Sequence, residues 1–216
     1  SIKIRVTVMS FFQFFVWGSW LISLGGYMGS QLGFTGLQIG SVYSTMGIAS
    51  VFMPGLLGIV ADRWVNAERV FALAHFVGAA ALIVAARVTD FQTFYSCMLV
   101  NSLFYMPTLA LSNSVCYNVL TRRQFDVVKT FPPIRVWGTV GFIVAMWVVD
   151  LLGWTKSTNQ LYVAAGAGLF LGCYAFTVPP SPPFLDETRK KSLVSSLGLD
   201  AFVLFKKKNT ALFFIF

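Results

Sequence analysis

Apolar residues along this chain fall into long, nearly unbroken runs, and six of these runs are long enough to cross a bilayer as helices. They cover Ile4–Met28, Ile39–Ala61, Val70–Arg87, Phe94–Asn118, Pro132–Leu152 and Leu161–Val178, termed spans 1 to 6. A further apolar run opens at Thr210 and stops at Phe216, which reads as a seventh span cut short. The one long polar connection is 179–209. It opens PPSPP, which cannot continue a helix. Within it, Ser195–Lys208 carries Leu197, Leu199, Phe202, Val203 and Phe205 ahead of a basic end, a spacing that fits an amphipathic helix on the membrane surface or a solvated linker. The pattern predicts an all-α integral membrane protein with a six-helix bundle over 1–178, a connector over 179–209 and a truncated span over 210–216. A chain of that form is expected to be the first half of something longer.

Polar residues inside the runs are regularly placed. Span 5, within FPPIRVWGTVGFIVAMW (Phe131–Trp147), holds a cation inside the apolar segment. Arg135, Thr139, Phe142 and Met146 follow i, i+4, i+7, i+11 spacing and share one helical face. A charge in hydrocarbon is costly unless it faces a bundle interior or a water-filled cavity. Arg135 lies about one turn into the span, so its long side chain could equally snorkel to the interface. Span 1 aligns Gln13, Trp17, Trp20 and Leu24, and span 4 aligns Asn101, Tyr105, Thr108 and Ser112, interrupted by Pro107. Spans 3 and 6 are rich in Ala, Gly and Leu. Because polar side chains turn inward in lipid, spans 1, 4 and 5 are expected around a polar centre, with 3 and 6 outside. Gly40, Ser44 and Gly47 suit span 2 to close helix contact. His75, the sole histidine, is expected in a structural role.

Composition agrees with a bilayer environment. The 216 residues are 56% hydrophobic and 11% charged, with mean hydropathy +0.73, against roughly 25% charged in soluble domains. A net charge of +8 would point to nucleic acid in a soluble protein, but here its distribution sets topology and no nucleic-acid partner is implied. With the N-terminus in the cytoplasm, every Lys and Arg except Arg87, Lys156 and Arg135 falls in an inner segment. The N-terminal run has no small-residue cleavage site and reads as a retained span, not a signal peptide. Cys97 and Cys116 stand 19 residues apart in one helix, about 28 Å, too far to bridge. All three cysteines, Cys173 included, read as small core residues. Asp62, Glu68, Asp126, Asp186, Glu187 and Asp200 fall inside and Asp90 and Asp150 outside. None is at mid-membrane, so a proton-responsive group is expected elsewhere in a longer chain. No nucleophile–base pair, metal cluster or phosphate loop is present, which argues against an enzyme and against a cofactor.

Gly58-Ile-Val-Ala-Asp62-Arg63, at the inner end of span 2, resembles the G-x-x-x-D-R loop of the major facilitator superfamily, although Val65, Asn66 and Ala67 depart from the residues that follow there. The resemblance implies that Gly58, Asp62 and Arg63 latch two halves of a transporter on the inner side. Longer stretches narrow the match. QFFVWGSWLISLGGYM, GSVYSTMGIASVFMPGLLGIVADRW, NSLFYMPTL, FPPIRVWGTVGFIVAMWVV and LGLDAFVLFKKK resemble the nucleoside:proton symporter family. That resemblance implies the six-transmembrane-helix N-terminal half of a twelve-span permease. Its partners would be a nucleoside, protons, the lipid bilayer and a C-terminal six-helix half, in a bacterial inner membrane. Arg135, Thr139 and Phe142 match the family's span 5 binding face. Independently, Arg, Thr and Asn can hydrogen-bond ribose hydroxyls and base edges, and aromatic faces can stack on a base. Gln13, Trp17, Asn101 and Tyr105 are expected to line the same cavity. The residue chemistry alone would suit a sugar too, or the ligand of a membrane sensor or enzyme subunit.

Overall fold

The computed structural model describes residues 1–183; the proposed amphipathic helix and the start of a seventh span lie outside them. Among the described residues seven helices are formed: α1 (Ile2–Gly18), α2 (Leu24–Ser30), α3 (Gly36–Arg63), α4 (Ala67–Ala85), α5 (Phe91–Arg122), α6 (Val127–Leu151) and α7 (Asn159–Ala175). Four of them, α3 to α6, are long and apolar enough to cross a membrane. α1 and α7 have 17 residues each, about 25 Å.

Helix boundaries differ from the apolar runs where side chains cap the ends. Thr35 forms a capping box with Gln38 and starts α3 three residues ahead of the apolar run. Asp90 and Asp126 accept the Thr93 and Lys129 N–H groups and start α5 and α6 early. Span 1, expected as one helix, is broken. At the Gly18–Ser19 pair, Ser19 Oγ donates to the Phe15 carbonyl at 2.8 Å, and residues 19–23 continue as turns before α2.

The bundle corrects the expected arrangement. α4 packs between α5 and α7 and buries Phe71, Ala72, His75, Ala79 and Leu82. Span 3 therefore lies inside this unit: its small residues let two neighbours approach closely, which polarity alone does not reveal. α7 likewise buries a stripe through Leu161, Ala164, Gly168, Leu171 and Ala175 against α4 and α1. The helices left most open are α3 and α6. α3 exposes Val51, Phe52 and Leu56, and α6 exposes Val136, Trp137, Trp147 and Leu151. A Cβ at Gly40 or Gly47 would meet no described atom within 4 Å, so the small-residue face of span 2 has no partner among the described residues.

α1 and α6 cross at near backbone contact. A Cβ at Gly18 would stand 2.5 Å from the Phe142 carbonyl oxygen, and one at Gly141 would press on the Phe11 carbonyl. At the entrance to the connector, buried Glu68 accepts the Ser181 N–H at 2.8 Å, while Ser181 C=O accepts the Ala67 N–H at 3.0 Å. These two bonds staple the segment after α7 to the start of α4. Arg5 adds a tie from α1 to the Thr177 carbonyl at 2.7 Å. The three cysteines are free; Cys116 is buried and Cys97 half-buried, but Cys173 is exposed instead of belonging to the core.

Candidate functional site

The α1–α6 crossing is also where the sequence-predicted polar face comes together. Gly138 leaves a notch on α6, and into it fit the Phe14 ring and the Arg135 guanidinium, each within 2.8 Å of where a Cβ would be. Arg135 Cζ lies 3.9 Å from the Phe14 ring centroid. The guanidinium therefore folds onto an aromatic of α1 rather than reaching along its own helix to the interface. A guanidinium over an aromatic face can still donate from its N–H groups to a ligand, and the cation–π contact contributes about 0.5–2 kcal/mol depending on hydration. One turn on, Thr139 is exposed; a further turn on, half-buried Phe142 meets Trp17 edge to face, with ring centroids 6.3 Å apart at 88°. One turn beyond Phe142, Met146 lines a cavity of about 210 Å³ together with Gly18, Ile22, Ser23, Trp147 and Asp150.

Behind this surface the structure gathers the other predicted residues, but buries them. Gln13, Asn101 and Tyr105 are 0, 2 and 3% exposed. Gln13 Nε2 donates to Thr108 Oγ1 at 2.8 Å and its Oε1 lies 3.0 Å from His75 Nε2. The Tyr105 hydroxyl donates to the Gln13 main-chain carbonyl. Asn101 Nδ2 donates to the Gly78 carbonyl at 3.2 Å. Trp17 stands between the layers, 6.1 Å from the Tyr105 ring, and its indole N–H is buried with no acceptor among the described residues. A buried donor left unpaired calls for an explanation. Residues that the sequence did not single out are Phe14 and the glycines Gly18, Gly138 and Gly141. The only available signal was the small-residue spacing on α6.

The loop motif lies apart from this surface. Gly58 has no described neighbour where a Cβ would project, and Asp62 is exposed at the end of α3. Among the described residues no group of three or more His, Cys, Asp or Glu side chains is placed to hold a metal.

A helical bundle with membrane-length apolar helices and an arginine–aromatic face has its likeness among solved membrane transporters. Crystal structures of the nucleoside transporter NupG match with TM-scores of 0.92 and 0.88 at 48% identity, over 100% of this chain and 53% of the NupG chain. The chain belongs to the Nucleoside H+ symporter family, whose model matches residues 1–216. Xanthosine permease of Escherichia coli (strain K12) is 54% identical and nucleoside permease NupG of the same strain 49% identical. Both align over 100% of this chain and 51% of their own length, so the chain spans about half of each relative.

Proposed function

We propose that this chain forms the N-terminal, six-span half of a proton-coupled nucleoside importer of the major facilitator type. The substrate would bind between this half and a C-terminal six-helix half, by alternating access. In this reading α1 and α2 together make span 1, and the exposed apolar faces of α3 and α6 meet the second half or lipid. Support comes from family membership and from relatives named as nucleoside and xanthosine permeases. The observation that carries the site is the Arg135 guanidinium held over the Phe14 ring, on one stripe with exposed Thr139 and half-buried Phe142. Arg135 and Thr139 would hydrogen-bond ribose or base, and Phe142 and Trp17 would stack on the base. Gln13, Asn101 and Tyr105 would back this wall of the cavity from within the half.

The cation distribution supports a cytoplasmic N-terminus in a bacterial inner membrane. Gly58, Asp62 and Arg63 would then sit on the inner side as a conformational latch between halves. Among the described residues, Asp62, Asp90, Asp126 and Asp150 are exposed at helix ends and Glu68 sits in the first turn of α4, which supports a proton-coupling group in the second half. The test is radiolabelled uridine uptake by the full transporter, with sugars as competitors and with a protonophore. Arg135→Ala is expected to cut saturable uptake at least about tenfold, the loss of a charge-assisted contact of 1.4 kcal/mol or more. Unchanged uptake in that variant would remove Arg135 from the site, and a transporter competed by sugars but not by nucleosides would overturn the substrate class.

A further inference from the structure

We propose that His75 is a positioning residue for the nucleoside site, acting through a closed hydrogen-bond circuit that fixes the turn of α1 carrying Trp17. The inference rests on the reading of Arg135, Thr139 and Phe142 as the substrate face. His75 lies on α4, which contributes nothing to that face.

The circuit has only one consistent direction. Thr108 Oγ1 donates to the Tyr105 main-chain carbonyl, so it can only accept from Gln13. That commits the Gln13 amide nitrogen as donor and turns Gln13 Oε1 toward His75, so His75 Nε2 carries the proton. The Tyr105 hydroxyl returns to α1 by donating to the Gln13 carbonyl. Four side chains from α1, α4 and α5 are thereby locked, with Gln13 and Thr108 0% exposed, His75 2% and Tyr105 3%. A buried network in which every bond has one polarity admits no alternative rotamer without leaving a group unpaired, and it rigidifies what it holds.

Gln13 and Trp17 are one helical turn apart, so fixing Gln13 on both its side chain and its main chain fixes the direction in which Trp17 leaves α1. Trp17 packs between Tyr105 on one side and the edge of Phe142 on the other, with centroid distances of 6.1 and 6.3 Å. The His75 ring is itself wedged edge-on between Phe71 at 4.5 Å and Tyr105 at 5.9 Å. The path from α4 to the substrate face is therefore short: His75, Gln13 and Tyr105, Trp17, Phe142. Each link is a direct contact.

Uridine uptake kinetics in the full transporter test this. His75→Phe keeps a ring against Phe71 and Tyr105 but removes the donor, whereas His75→Gln keeps a donor near the Nε2 position. The expected result for His75→Phe is a KM raised about five- to tenfold with Vmax and membrane abundance nearly unchanged. His75→Gln should restore KM to within about twofold of the parent. In a Phe142→Leu background His75→Phe should add little, because the contact through which it acts is already gone. An unchanged KM, a fall in Vmax alone, or multiplying effects in the double variant would overturn the proposal. If His75→Phe fails to accumulate, Thr108→Val breaks the same circuit from α5 and is read by the same criteria. Should Arg135→Ala and Phe142→Leu leave uptake untouched, the substrate face itself is wrong. Should they impair it while both circuit variants do not, only the role of His75 is lost.

Discussion

Replacing Gly141 by alanine gives the sharpest check on the α1–α6 crossing. The added Cβ would lie against the Phe11 carbonyl oxygen and 2.8 Å from its carbonyl carbon. Carbon atoms pack at about 3.5 Å or more, so the helices must part by roughly 0.7 Å even if the oxygen is ignored. The obstacle is main chain, so no rotamer change relieves it. Overpacking of this kind costs about 1–3 kcal/mol, offset by at most about 1 kcal/mol from the better helix propensity of alanine. The same displacement would loosen the Arg135–Phe14 cation–π contact and the Trp17–Phe142 edge contact, both of which bridge α1 and α6. Gly141→Ala is therefore expected to lower the melting temperature in detergent and to weaken nucleoside binding together. Gly166→Ala is the control, because a Cβ there meets no described atom within 4 Å on α7; it should be neutral or slightly stabilising. If Gly141→Ala melted and bound like the parent, the close crossing would be wrong.

Three further outcomes follow from the helix ends and the staple. Gln124 closes α5 at φ 55°, a left-handed conformation, so Gln124→Gly should be more stable than Gln124→Ala by about 1 kcal/mol in thermal unfolding. Glu68→Ala leaves the buried Ser181 N–H without its acceptor and should cost about 1–3 kcal/mol; a variant that melts like the parent would show that the staple contributes nothing. Hydrogen bonds from Thr93 hold the Asp90 carboxyl below the ordinary value of 3.8. Its cap is therefore fully effective above that value and is lost as pH falls through the lower folded one. The melting difference between parent and Asp90→Ala should be flat above about pH 5 and shrink below 3.8.

Helix existence, and the membership of Arg135, Thr139 and Phe142 in one stripe, were legible because apolar run length and 3.6-residue periodicity act locally. The alignment of Asn101, Tyr105, Thr108 and Ser112 was legible for the same reason, and all four are buried on α5. The burial of α4 was not, because packing between two helices needs small side chains as well as polar ones, and Ala-rich sequence looks the same facing lipid or protein. The direction of the Arg135 side chain depended on a notch at Gly138 and a ring on another helix. Neither lies within one periodic window. The break after Gly18, where residues 19–23 run as turns between two helices, falls inside one apolar run, and hydropathy does not register it.

The staple between Glu68 and Ser181 joins positions 113 residues apart. Everything from α4 to α7 is thus a loop drawn shut at its neck, with entry and exit held side by side. Closing a loop of that length lowers the chain entropy by an amount that grows only logarithmically with length, so two hydrogen bonds do not compete with all four helices at once. They instead fix the point from which the chain departs after α7. Whatever follows starts from an anchor next to the α3–α4 turn, not from a free end, and a pull along the connector would be felt first at Ala67 and Glu68. Hydrogen exchange at the Ser181 and Ala67 amides would register such a pull before any helix opened.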